Sequence, residues 1–200
     1  MPFYNTIEFW TAAATVVALF MPLTVLWLSN RTKKSKLVVI GSSVINQDPA
    51  SEEADKVRPR LMNVGRVIIR NDGKYKASLV EAYIEKIIFD NEERVDFFPM
   101  PLFWTHGQLN KKYGPTVRDV YPNQTVYLDI FNHIYDDGYV GESIVSFAVA
   151  AGTQIENLSR MNLGESEILV RLYQESGQVD EIRLKLKWDG KNAPTINILS

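Results

Sequence analysis

Asp129, His133, Asp136 and Asp137 are the residues whose types and spacing come nearest to chemistry in this chain. Carboxylate oxygens gathered in a loop can hold calcium or magnesium, and an imidazole beside carboxylates can serve as a general base in hydrolysis. The spacing fits no established calcium loop, however, and Asp136-Asp137-Gly138 has the composition of an ordinary turn, so no metal site is expected. Gly141-Glu142-Ser143-Ile144 lacks the second glycine and the strand-to-helix setting of a nucleophile elbow. Glycine-rich phosphate loops and dinucleotide fingerprints are absent from the sequence. So is cysteine, which removes disulfides, thiolate catalysis and cysteine-based zinc sites together. The expectation is a protein without catalytic residues, metal or cofactor.

The elements that would carry these residues read as strands. From Glu181 to Trp188, Ile182, Leu184, Leu186 and Trp188 alternate with Arg183, Lys185 and Lys187, the pattern of a half-buried strand with one wet face. Glu167 to Tyr173 alternates too, and the turn-rich stretch from Gln174 to Gln178 joins the two as a hairpin. Further strands are expected at Leu37 to Ile40, Arg66 to Arg70, Leu79 to Phe89, Thr125 to Phe131 and Ser143 to Ala150. Asn71-Asp72-Gly73 would supply positive-φ residues for a tight turn, and Pro122-Asn123 turns the chain before Thr125. Short strands at this spacing, with no long helical pattern between them, predict an antiparallel β-sandwich over residues 37–200. Two long loops interrupt it, at 47–60 and 97–121.

The second loop carries Phe97, Phe98, Leu102, Phe103 and Trp104 among Pro99, Met100 and Pro101, with Lys111, Lys112 and Tyr113 further on. It is too proline-rich for a central strand. One reading is a segment that caps an end of the core, since apolar clusters mostly pack inward. The other is an exposed patch, formed by Phe97, Phe98, Leu102, Phe103 and Trp104, that binds a protein partner or the bilayer surface.

Val67-Ile68-Ile69-Arg70-Asn71-Asp72-Gly73-Lys74-Tyr75-Lys76-Ala77 resembles the strand, N-x-G turn and alanine of immunoglobulin-like sandwich modules of the CARDB type. Pro122-Asn123-Gln124-Thr125 followed by Val126-Tyr127-Leu128 is similar to their turn before a mid-domain strand, and Ile168 to Trp188 to their final hairpin. The matching pieces cover about half of the domain after the helix. The second turn lacks the glycine common there, and the long inserts are foreign to the family. The resemblance implies an immunoglobulin-like sandwich used for adhesion or protein binding.

Ahead of this domain, Phe9 to Leu28 carries no charge. Roughly 20 helical residues cross a hydrocarbon core about 30 Å thick. Trp10 and Trp27 stand near the two ends, where aromatic rings favour the membrane interface. The expectation is a short N-terminus over 1–8, a transmembrane helix over 9–29 and a basic juxtamembrane segment over 30–36. The preceding MPFYNTIE has no Lys or Arg, unlike the basic start of a cleaved signal peptide. Arg31, Lys33, Lys34 and Lys36 follow the helix, so the positive-inside rule places the N-terminus outside and the domain in the cytoplasm. Pro22 falls near mid-span, where a kink is expected. Thr11, Ala14, Thr15 and Ala18 form a stripe of small residues at helical spacing, a surface on which another membrane helix could pack.

The side chains up to Lys36 sum to +3, leaving −5 on the rest of a chain whose net charge is −2. A mildly acidic domain repels phosphate backbones, so nucleic acid is not an expected partner. Together these features predict a non-enzymatic, membrane-anchored protein-binding module, an accessory subunit of a membrane assembly. Its partners would be the lipid bilayer and a protein met through the aromatic loop or the helix. The alternatives are an extracytoplasmic adhesion or sensor domain of inverted topology, and a hydrolase using His133 and the nearby aspartates.

Overall fold

A computed structural model describes residues 7–32, 34–47, 60–95, 97–105, 108–110, 114–136, 143–150 and 156–199. The chain divides into two compact units, Met1–Lys34 and Ser35–Ser200.

The first unit contains one α-helix, α1 (Ile7–Thr32), 26 residues long with Pro22 inside it. It starts earlier and ends later than the 9–29 expected from hydropathy. The helix takes in Arg31 and Thr32, since no proline or glycine stands between the apolar run and Thr32 to end it. Among the described residues, no helix is long and apolar enough to cross a membrane. Described side chains run without a break only from Phe9 to Val25, those of Glu8, Leu26 and residues 28–32 lying outside the described set.

Among its described residues, the second unit is built from strands with one short helix, α2 (Glu156–Ser159). The strands are β1 (Leu37–Gln47), β2 (Arg60–Asn71), β3 (Ala77–Phe89), β4 (Glu92–Glu93), β5 (Met100–Pro101), β6 (Gln108–Asn110), β7 (Gly114–Val120), β8 (Thr125–Asp136), β9 (Ile144–Phe147), β10 (Gly164–Tyr173), β11 (Val179–Trp188) and β12 (Thr195–Leu199). They form two antiparallel sheets, the smaller in the order β1-β2-β8-β9 and the larger in the order β12-β11-β10-β3-β7-β6. The unit is therefore mostly β, of the sandwich class. All seven expected strands are present, several of them longer than alternation alone indicated. The expected hairpin pairs Ile168 with Leu184 and Val170 with Ile182.

Alternation explains the core. Ile168, Val170, Leu172, Ile182, Leu184, Leu186 and Trp188 from the larger sheet meet Val67, Ile69, Val126 and Leu128 from the smaller one. Where the alternation breaks, the pairing shifts. The register of β2 on β8 slips between Gly65 and Arg66. At that point the ring of Phe131 lies over Gly65, where an added Cβ would meet it at 2.2 Å. A ring covering a strand glycine restores the packing that the missing side chain forgoes.

The Asn71-Asp72-Gly73 turn works differently from the expectation. None of its residues has a positive φ among those that do. Instead the side chain of Asn71, fully buried, satisfies four backbone groups. Its Nδ2 donates to the carbonyls of Tyr75 at 2.8 Å and Val120 at 3.0 Å. Its Oδ1 accepts from the amides of Gly73 at 2.9 Å and Lys36 at 3.1 Å. Gly73 is required by space, since a Cβ there would stand 2.6 Å from the nitrogen of Lys36. At the second turn Asn123 does take a left-handed φ of 62°.

The expected loop at 97–121 is largely ordered pairing. Met100 and Pro101 pair with Ile84 and Tyr83 of β3, and Gly114–Val120 forms β7 beside the same strand. Between them, Leu102 bridges to Val149 and Trp104 to Leu128 of β8. The segment thus leaves the larger sheet and joins the edge of the smaller one, closing that side of the sandwich. Lys111, Lys112 and Tyr113, and most of the 47–60 loop, lie outside the described residues.

Candidate functional site

Met100, Leu102 and Trp104 point inward and are buried, while Pro101 and Phe103 between them are half-buried. This is strand alternation, hidden in the sequence by Pro99 and Pro101. The indole Nε1 of Trp104 donates to the carbonyl of Val80 at 3.0 Å, which satisfies the buried ring's polar atom. Leu102 and Trp104 are therefore core residues, and the expectation that they contact a partner is corrected. Phe97 packs against the core. Phe98, 46% exposed, is the member of the five with the most open surface.

Of the acidic cluster around His133, the structure describes the side chains of Asp129 and His133. Asp129 faces Arg66, whose Nε donates to its Oδ1 at 2.6 Å, and it also accepts from Thr105 Oγ1 at 2.8 Å. Asp137 and the side chain of Asp136 lie outside the described residues. Among the described residues, no group of three or more His, Asp or Glu side chains is placed to hold a metal ion.

His133 has other neighbours. It is buried on β8, and its register partner is Val145 of β9. Its Nε2 lies 2.5 Å from Ser143 Oγ and its Nδ1 3.4 Å from Asn63 Nδ2. The ring stacks on Tyr135, with centroids 5.1 Å apart, and meets Trp188 edge-on at 6.5 Å. Burial pushes its pKa below the ordinary histidine value, opposed in part by the Asp189 carboxylate. Asp189 itself is held down to about 2, chiefly by the Lys191 amide and the Asn192 side chain. Ser143 also lines an open cavity of about 310 Å³ with Val145, Arg160, Met161, Leu163 and Trp188.

The chemistry of this pair follows from the proton on the ring. An amide nitrogen can only donate, so with Asn63 Nδ2 facing Nδ1 the ring carries its proton on Nε2. Ser143 Oγ then accepts, and a serine that accepts from histidine is not an activated nucleophile. Turning the Asn63 amide would reverse both roles. Ser143 was legible as a residue of the Gly141–Ile144 stretch, but nothing in its local sequence announces His133, which reaches it through the register of β8 on β9.

The helix provides the second candidate surface. Trp10, Val16, Val17, Leu19, Phe20, Met21, Leu23, Val25 and Trp27 are all exposed. At about 100° per residue these positions take up about two thirds of the circumference, and Thr11, Thr15, Ala18 and Pro22 fill the remaining sector. Its described hydroxyls are satisfied within it: Thr11 Oγ1 donates to the carbonyl of Ile7 at 2.8 Å, Thr15 to that of Thr11 at 2.9 Å, and Thr24 to that of Met21 at 2.9 Å. Thr11, Ala14, Thr15 and Ala18 are exposed as well.

No protein-family model matches the chain, and no curated protein matches it.

Proposed function

We propose that the chain is a single-pass membrane protein in which α1 is the anchor and the β unit is a non-enzymatic binding module, an accessory subunit of a membrane assembly. The observation that carries this reading is the exposure of large apolar side chains around most of a 26-residue helix, with Thr11, Thr15 and Ala18 on the rest. In water such a surface is costly at about 25 cal/mol per Å², and in hydrocarbon it is not. Threonine hydroxyls bonded back to the preceding turn are the usual way for a helix to carry polar atoms in an apolar medium. The basic residues after the helix favour a cytoplasmic domain. Two antiparallel sheets and the final hairpin support an immunoglobulin-like module of the CARDB type as the scaffold.

With Leu102 and Trp104 in the core, the protein partner is assigned to the exposed stripe Thr11, Ala14, Thr15 and Ala18, with Phe98 a secondary contact. Photo-crosslinking from Ala14 in native membranes should give one discrete adduct that crosslinking from Leu23 does not. Equal, diffuse labelling from both would remove the partner from the stripe. Protease added to intact cells should spare the β unit, and its digestion there would favour the inverted topology of an adhesion or sensor domain.

A hydrolase is the second reading, favoured by the 2.5 Å contact of His133 with Ser143 beside a cavity. A fluorophosphonate probe separates the two readings. Labelling of Ser143, lost in Ser143→Ala, would establish a nucleophile, and no labelling is expected.

A further inference from the structure

We infer that the open cavity between β9, the segment from Arg160 to Leu163 and the end of β11 is a binding site for a small carboxylate carried on a compact apolar body. The inference concerns the β unit alone and stands whether or not α1 is an anchor.

The cavity, about 310 Å³, lies at the lower end of the range for small-molecule sites. Its floor is apolar. Val145, Met161 and Trp188 line it, and each is at least nine-tenths buried. The rim is apolar as well. Leu163 is 59% exposed and lies against Gly190, where an added Cβ would stand 2.6 Å from Leu163 Cδ2. Gly190 also has a left-handed φ of 82°, so space and backbone together keep that wall free of a side chain. Ile144 adds to the rim. Walls of this kind suit an apolar body, with a few polar groups left to fix its orientation.

The polar groups are one cation and one hydroxyl. Arg160 is the single ionisable residue among those lining the cavity. Its backbone is fixed: Arg160 bridges to Ser146 of β9, the Met161 amide donates to the Val145 carbonyl at 3.0 Å, and Arg94 Nη1 donates to the carbonyls of Leu158 at 3.2 Å and Arg160 at 3.3 Å. Its guanidinium is exposed and takes part in none of the ion pairs formed among the described residues. The planar fork of arginine matches the two oxygens of a carboxylate. Ser143 Oγ accepts from His133 Nε2 when Asn63 Nδ2 faces Nδ1, and its own proton is then free to donate. The carboxylate of Asp189, next to Trp188 in the chain, is engaged in its own turn. It accepts from the amides of Lys191 at 2.9 Å and Asn192 at 2.8 Å and from Asn192 Nδ2 at 2.8 Å. It is not among the lining residues and makes no pair with Arg160. An anion therefore finds a cation and a donor here, whereas a neutral apolar molecule would leave both unused and a cation would be repelled.

Fluorine NMR of para-fluorophenylacetate with the full-length protein in maltoside detergent tests this. The probe has no bond for a hydrolase to cleave, so it reports binding apart from the second reading above. Its signal should broaden beyond its width in detergent alone, and the neutral para-fluorophenylacetamide should broaden much less. Arg160→Gln should reduce the broadening by about five-fold or more, with an unchanged urea midpoint because the side chain is exposed. Arg183→Gln is the control. Arg183 is exposed on the outer face of β11 and is likewise outside the ion pairs, and its loss should leave the broadening as in the parent. Equal broadening of acid and amide would overturn the anionic class of ligand. Binding retained in Arg160→Gln, or lost equally in Arg183→Gln, would overturn the assignment to this cavity. A parent protein that broadens neither probe would overturn the site itself.

Discussion

The indole nitrogen of Trp104 donates to the carbonyl of Val80 at 3.0 Å, and the two residues belong to opposite layers. Trp104 is bridged to Leu128 of the smaller sheet, whereas Val80 lies in β3 of the larger one. One side chain thus fastens the layers where the chain passes between them. Trp104→Ala should destabilise the unit by about 3–5 kcal/mol through the cavity it leaves. Trp104→Phe keeps most of the packing but leaves the Val80 carbonyl without its donor, at about 1–3 kcal/mol. Urea unfolding of the full chain in detergent checks both, and a Trp104→Ala protein as stable as the parent would remove the residue from the core.

Asn71 joins three segments through one amide. Asn71→Asp keeps the acceptor for the Lys36 and Gly73 amides but loses the donors to Tyr75 and Val120. The buried Val120 carbonyl and the part-buried Tyr75 carbonyl would then face a carboxylate. The expected loss is about 3 kcal/mol or more, read as a fall in the urea midpoint with an unchanged slope. An isoenergetic variant would mean that the four bonds do not organise this turn.

Gly65 has no room for a methyl group under Phe131. Gly65→Ala should destabilise by about 1–3 kcal/mol through overpacking. Phe131→Leu, in the same protein, should recover part of that loss, because a smaller side chain vacates the space. Strictly additive effects of the two changes would show that they do not touch.

His133 contributes a pH dependence with a defined sign. Its folded-state pKa is lowered by burial, so the fold favours the neutral ring. That contribution is complete above the unfolded value near 6.5 and is lost as pH falls through it toward the folded value. The urea midpoint should drop between pH 7.5 and pH 5.5, and the drop should be smaller in His133→Gln. An identical drop in both proteins would assign the dependence to other groups.

Much of this architecture can be read from alternation. Ile182 to Trp188 and Ile168 to Leu172 take the faces and the pairing that their pattern dictates, because one buried face fixes register. The segment from Met100 to Trp104 follows the same period, but its prolines argue against a central strand, and it proves to be a seam rather than a patch. Pro115 similarly masks β7, and β12, only five residues long, gives too little alternation to separate from a loop. The Asn71 turn shows a different limit: its residue types were the right ones, but the mechanism is side-chain hydrogen bonding to Lys36 and Val120, which are distant in sequence. The proximity of Ser143 to His133 likewise depends on the pairing of β8 with β9, which no local spacing encodes.

The anchoring role of α1 is the claim on which the rest of the functional account depends. Alkaline carbonate extraction of membranes from cells expressing the full chain tests it most directly. The chain should remain with the membrane pellet, and replacing Val17 and Leu19 with arginine, at about 2.5–3.5 kcal/mol for each charge at mid-span, should release it. Quantitative release of the unaltered chain into the carbonate supernatant would contradict the membrane-spanning account.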